Sequence, residues 1–398
     1  MTIPARPAPV VPRRAAWSWR SRSLRRWVYQ ALAIAAVVGL LAWLFSNTWA
    51  NMRARGIQGG FDFLTDSAGF DISESLLDFS SSDPYWKAFL VGIGNTLRVA
   101  IVGCLLTTVA GVLIGIGRLS SNALVRGLCQ GYVELFRNVP LLIQLLVWYL
   151  IFVEVLPPAR EALSLGGLVY LSKGGLALPA PAASVGWDWT LAGLGVGAIL
   201  AALTGLRARR RFRNAGGRPP SLVLQPLVTI LGAGLVGWLA GGMPTAWDVP
   251  ELGGFSIEGG VSLTPEFMAV LLGLTAYTTA FTAEVVRAGI SSVSRGQLEA
   301  GASIGLPRAL VLRLVVLPQA LRVIIPPLTN QYLNLTKNSS LAVAIGYPDL
   351  VSVANTSLNQ TGRAVECITL IMLVYLALSL LTSALMGWFN RRVAIKER

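Results

Sequence analysis

The chain has 398 residues, 54% of them hydrophobic and 13% charged, with a formal net charge of +14. A soluble domain carries roughly 25% charged residues, so a water-soluble fold is excluded, and the arginines lie beside the ends of apolar runs, where they mark membrane orientation and not a nucleic-acid surface. There is no histidine, and Cys104, Cys129 and Cys367 are far apart in or beside apolar runs, which removes the commonest general base and metal ligand and leaves neither a zinc pattern nor a disulfide framework.

Charge is confined to the gaps between apolar runs of about 20 residues, the length that crosses a bilayer as a helix. Residues 1–27 carry seven arginines, Arg6 to Arg26, and no acid, and read as a basic cytoplasmic tail. The first span covers 28–48, too long for a cleavable signal core. The loop that follows, about 49–87, is rich in aspartate and ends in Tyr85-Trp86, which suits an interfacial aromatic belt. Further spans are read over about 90–116, 136–156, 189–206, 221–242, 266–286, 323–346 and 367–388. The predicted fold is therefore an all-α membrane protein of about eight transmembrane helices, ending in a tail at 391–398. Its loops alternate between basic and acidic. Under the positive-inside rule both termini, the Arg-rich turn at 207–218 and the segment after the sixth long run face the cytoplasm.

That last segment holds the most informative residues. Gly296-Gln297-Leu-Glu299-Ala300-Gly301-Ala-Ser-Ile-Gly305-Leu-Pro307 is polar and stands between two long apolar runs. Ser291–Ser303 reads as a short helix, Gly305 as the left-handed residue that ends it, and Pro307 as the first turn of the next helix. Pro318 restricts the residue before it, and the reading has it redirect the chain into the membrane. A structured elbow of this kind suits a docking surface. No G-x4-G-K-[ST] phosphate loop is present, so the chain needs no cofactor of its own by that device, and energy would come from an ATP-using partner.

Glu299-Ala300-Gly301, Gly305, Val315, Leu317 and Pro318 resemble the E-A-A-x3-G-x9-I-x-L-P loop of ABC-type importer permeases, with Gly301 and Val315 in place of the usual alanine and isoleucine. Ala283-Glu284, Arg287-Ala-Gly289, Gly296-Gln297, Leu317-Pro-Gln-Ala320 and Lys337-Asn338-Ser339-Ser340-Leu341 resemble the polar amino-acid branch of that family. So does Glu134-Leu-Phe-Arg137-Asn138-Val-Pro140-Leu-Leu-Ile-Gln144. The likeness covers about 90–156 and 264–390, and the whole layout is similar to the general L-amino-acid permease subunits. It implies a permease domain over 88–390 with a five-helix core, interrupted by an insertion at 157–263 that carries two spans, and preceded by the extra N-terminal span. It also implies a homologous second permease, an ATP-binding subunit dimer, a periplasmic amino-acid-binding protein and residence in the bacterial inner membrane. The ATPase-coupling loop would use Gln297, Glu299, Ala300, Gly301, Gly305, Leu317 and Pro318.

Charged and polar groups inside spans are costly and usually face a polar path or a partner. Arg98, Gln144, Glu284, Lys337, Asn338 and Ser339 are the candidates for a translocation path or for intramembrane polar pairs. Arg137, Glu154 and Arg287 read as interfacial. Gly111 with Gly115, and Gly127 with Gly131, have the small-xxx-small spacing of close helix contacts, a weak signal in spans this rich in glycine. Two Asn-x-Ser/Thr sequons, at Asn334 and Asn338, fall within a span and read as false positives. The alternative function is a self-sufficient secondary transporter or channel for small polar solutes, which would need inverted repeats or an ion relay; no convincing repeat is visible. An intramembrane enzyme lacks the histidine and metal clusters it would need.

Overall fold

The computed structural model describes residues 22–54, 56, 59–182, 184–215, 224–254 and 256–393. Most of the basic tail at 1–27, the end of the Arg-rich turn and most of the tail at 391–398 lie outside them. The first helix, α1 (Arg22–Ala54), begins inside the stretch read as a tail, and its apolar window is wholly unburied. A loop then leads to α2 (Tyr85–Gly117), which starts after Pro84.

The span expected at 136–156 is broken. Helix α3 (Ala123–Asn138) is capped by Asn122, whose Oδ1 accepts from Leu124 N at 2.9 Å, and α4 (Leu141–Leu150) continues as a π-turn to Val155. The two segments meet at 104°. Pro140 cannot continue α3 and starts α4 instead.

The insertion holds more than helices. Strands β1 (Leu163–Leu165), β2 (Val169–Ser172) and β3 (Gly175–Leu178) precede β4 (Ala180–Pro181). The helices α5 (Val185–Ala215) and α6 (Leu224–Ala240) follow, then β5 (Trp247–Asp248), β6 (Glu251–Leu252), β7 (Ile257–Glu258) and β8 (Val261–Leu263). An antiparallel sheet runs β1-β2-β3-β8, with β4-β5 and β6-β7 as separate pairs. The all-α expectation thus holds for the spans but not for these short strands, which were read as loop. Runs of two to four residues are too short for alternation to register. Helices α5 and α6 pack closely through glycine: a Cβ on Gly197 would lie 2.9 Å from Ile230 Cα.

Helix α7 (Pro265–Ser291) is capped by Thr264, whose Oγ1 accepts from Phe267 N at 3.1 Å, with Pro265 in the first turn. Two short helices, α8 (Arg295–Ser303) and α9 (Arg308–Val311), form the elbow. A π-turn over Leu312–Val316 then leads into α10 (Leu317–Asn338) and a 3-10 segment to Ile345. Helix α11 (Leu350–Thr361) stands where only a short loop was read, and α12 (Ala364–Val393) is the last. Among the described residues six helices are long and apolar enough to cross a membrane, and the bent α3–α4 pair, taken as one span, makes a seventh. Helix α6, apolar but of 17 residues, is compatible with an eighth.

Helix α7 is the central post. The face of α2 that carries Gly111 and Gly115 lies against it: a Cβ on Gly115 would sit 2.8 Å from Ala283 O and from Val286 Cβ. That small-xxx-small pair is a true helix contact. Gly127 and Gly131 on α3 face open space. The main core joins α2, α4 and α7 through Val99, Leu145, Phe267 and Leu274. A second cluster ties the elbow to α7 and α10 through Val286, Val293, Val311, Val316 and Ile324.

Candidate functional site

The elbow is built on a glycine joint. Helix α8 ends at Ile304, and Gly305 takes φ +78°. Leu306 N donates to Gly301 O at 3.2 Å and Gly305 N to Ala302 O at 2.9 Å. This pair of bonds is the Schellman ending of a helix, and glycine suits it because it carries no Cβ to strain in the left-handed region. Pro307 is extended and caps α9, so the chain turns between Gly305 and Pro307. The turn expected at Pro318 is not there. Pro318 lies in the first turn of α10, on a helical path that runs from Arg308. The helix widens just before it: Leu317 N bonds to Leu312 O, five residues back, and Gln319 Nε2 donates to Val315 O at 3.0 Å.

Gly301, which departs from the usual alanine, has a packing reason. It is buried, and a Cβ there would lie 3.0 Å from Val311 Cγ2. Val311 of α9 sits on the bare backbone of α8, so the two elbow helices close on each other. The other face of α8 is open. Gln297, Glu299 and Ala300 are exposed, and among the described residues the Glu299 carboxylate makes no ion pair. Leu317 is 49% exposed, and Ile304 at the joint is 76% exposed. Ile304 was missed by sequence reasoning. Its signal was an isoleucine directly before a left-handed glycine, where a solvated loop would carry a polar residue.

The membrane-embedded candidates separate by place: two lie at the elbow end and the α3–α4 break, one at the opposite end and the rest on and just after α10. Glu284 accepts from Arg118, at the end of α2, and from Arg287 Nη2 at 2.5 Å. This triad locks α2 to α7 just above the elbow, and Arg287 belongs to it although read as merely interfacial. Gln144 holds the break between α3 and α4: its Nε2 donates to Phe136 O at 2.9 Å and Val139 O at 2.8 Å. Those carbonyls lose their helical partners at the bend, and the glutamine amide replaces them.

Arg98 belongs to a clasp at the opposite end of the bundle. It pairs with Glu74 of the loop before α2, and its guanidinium lies 4.0 Å from the centre of the Phe267 ring. Thr264 Oγ1 donates to the other oxygen of Glu74. Asn95 Nδ2 donates to Glu74 O at 2.7 Å and Pro348 O at 2.9 Å, and Tyr347 OH donates to Asn95 O at 3.2 Å. The Glu74 carboxylate thereby joins its loop to α2 and to the cap of α7, and Asn95 ties the Glu74 backbone to the turn before α11. The Asp349 carboxyl beside them is pushed up to about 7 by burial, against hydrogen bonds to backbone amides that pull it down.

The remaining candidates lie on and just after α10. Lys337 is exposed, whereas Ser339 is buried and donates to Thr336 O at 2.7 Å. Asn338 is half-buried. Asn330 and Asn334, not singled out from sequence, are exposed and share a face with Lys337, at spacings of four and three. That period was readable in the sequence.

Comparison with known proteins settles the family. The chain matches the binding-protein-dependent transport system inner membrane component over residues 107–395. It belongs to that family. It is a multi-pass inner-membrane permease subunit of an ABC transporter and not an enzyme. This decides against the self-sufficient transporter. The chain is 46% identical to the general L-amino acid transport system permease protein AapQ of Rhizobium johnstonii, over 96% of each chain. It is also 46% identical to the putative amino-acid ABC transporter permease protein YhdX of Escherichia coli strain K12, over 96% of this chain and 97% of the relative. The glutamate/glutamine/aspartate/asparagine transport system permease protein BztB of Rhodobacter capsulatus is 39% identical, over 93% of this chain and 95% of its own. The clasp residues Glu74, Asn95 and Arg98 precede the matched stretch.

Proposed function

We propose that this permease passes L-amino acids, delivered by a periplasmic binding protein, across the inner membrane together with a homologous second permease. An ATP-binding subunit dimer drives it by gripping the elbow. The observation that carries this reading is the elbow's two-sided build: an underside packed on α7 and α10, and an open face presenting Gln297, Glu299, Ala300 and Ile304. An exposed isoleucine beside a glycine joint has the make-up of an interface anchor. Leu317 and Pro318 carry the movement from the elbow into α10. The permease domain then runs over 88–390, with the insertion at 157–263 as an accessory, and both termini face the cytoplasm with the elbow.

The stripe of Asn330, Asn334 and Lys337 supports α10 as the wall of the path. A lysine and two amides facing hydrocarbon would be costly, and facing a polar path they offer donors to a carboxylate and acceptors to an ammonium. Ile304→Asp is the test. Co-purification of the ATPase with the full-length permease should fall at least about tenfold, since losing a buried interface anchor costs 2 kcal/mol or more. Undiminished ATPase recovery with the variant would place the docking surface elsewhere.

A further inference from the structure

Beside the elbow, the end of α2, the start of α3, the end of α7 and the segment from α9 into α10 enclose a crevice of about 750 Å³. Its walls are apolar, formed by Leu113, Ile116, Leu119, Val125, Leu312 and Val316. Arg313 lines it too, and so does Ser120, whose carbonyl accepts from Arg126 Nη1 at 2.9 Å. One guanidinium, Arg313, therefore lines an apolar crevice that has no acid in its lining, and a second, Arg126, is held on the backbone of a lining residue. The neighbouring Arg118 is already engaged by Glu284.

The crevice continues into a track. Ile101, Leu105, Val109, Leu113 and Ile116 recur every three or four residues along α2, all more than half exposed. At 1.5 Å per residue the track is about 22 Å long, longer than the roughly 15 Å of hydrocarbon in one leaflet. Its residues are all branched. At its closest helix contacts this chain uses glycine, as Gly111 and Gly115 do on the other face of α2 and as Gly193 and Gly197 do on α5. A flexible acyl chain fits a branched track better than a partner helix does. Guanidiniums at its end fit a phosphate.

We propose that this crevice and track bind one anionic phospholipid, its chain along α2 and its phosphate between Arg126 and Arg313. The lipid fills the gap between α2 and the Leu312–Val316 turn, so its presence stiffens the elbow's root. The site depends on the elbow standing at a membrane surface. Its test reads lipid retention and needs no transport, so it can fail while the transport reading stands.

The experiment is native mass spectrometry of the full-length chain extracted from membranes containing phosphatidylglycerol and phosphatidylethanolamine. The wild type should retain one phosphatidylglycerol preferentially. Arg126→Gln with Arg313→Gln should weaken that retention about 30-fold, from two basic contacts at a membrane surface. Ala309→Phe, which fills the crevice from an exposed position and keeps both arginines, should also release the lipid. Elution as a single folded species confirms that either variant is intact. Equal retention of phosphatidylglycerol by the double glutamine variant would overturn the proposal. So would a Leu113→Cys cross-link to a second permease in the assembled transporter, because the track would then hold a helix.

Discussion

The two ends of the helix bundle are built on opposite principles. At the elbow end, polar side chains and Ile304 stand open on α8, the joint is a glycine, and helix geometry loosens into a π-turn before α10. At the other end, Asn95, Tyr347 and Asp349 are fully buried, Glu74 is 8% exposed, and their polar atoms bind loops to helices. The surface proposed to be gripped leaves its polar groups to solvent and its joint compliant. An end that must hold its helices together turns most of its polar groups onto partners within the protein, because an unpaired one is costly in low dielectric. The contrast teaches where force can enter the molecule and where the molecule resists it.

The contrast breaks first at the clasp. Arg98→Ala leaves Glu74 buried without its cation, and a one-sided loss of this kind costs about 3–5 kcal/mol. The unfolding temperature of the purified permease should drop steeply. Pairing Arg98→Met with Glu74→Gln should restore most of it, and a double variant as weak as the single would mean that packing, not charge, holds this end. Between the ends, Gly115→Ala forces a methyl to within 2.8 Å of Ala283 O. Overpacking of this kind costs about 1–3 kcal/mol, to be read as a smaller fall in the same melting experiment.

Asp349 gives a pH signature. Its folded carboxyl, at about 7, lies above the unfolded value of 3.8. Between those values the folded state holds more protons, so stability falls as pH rises from about 4 to 7, by at most about 1.4 kcal/mol per unit. Asp349→Asn should flatten the dependence of melting temperature on pH across that window; an unchanged slope would assign it to another group. The smallest effect belongs to the elbow. Gly301→Ala gains up to about 1 kcal/mol of helix propensity and loses against the 3.0 Å contact with Val311. Its net change in melting temperature should be slight. A large fall would show that the elbow helices are clamped as tightly as the far end.

The elbow was legible in sequence because its signals are local: Gly305, Pro307 and the polar run all act within a few residues. Long apolar spans were legible for the same reason. What escaped lies in three kinds of place. The bend at Pro140 was hidden because it falls near the start of the span read over 136–156, and α3 before it, with Arg126, Glu134 and Arg137, is too polar to read as a span. The short strands of the insertion carry too few residues for a period to show, and α11, with Asn355, Ser357, Asn359 and Gln360 among its 12 residues, is too polar to stand out between two long spans. The Glu74–Arg98 pair joins a loop acid to a span residue 24 positions away, and no spacing rule reaches that far. Pro318 was misread because proline both ends helices and begins them, and the π-turn before it lies beyond any local signal.

The most direct measurement of coupling through the elbow is uptake by the assembled transporter carrying Gly305→Val. At φ +78° a β-branched residue is strained by about 1–3 kcal/mol, so the Schellman ending should open while the spans remain folded. The prediction is a permease that still assembles in the membrane at normal abundance but loses the link between ATP hydrolysis and amino-acid uptake. Wild-type uptake at that abundance would contradict a coupling role for this joint.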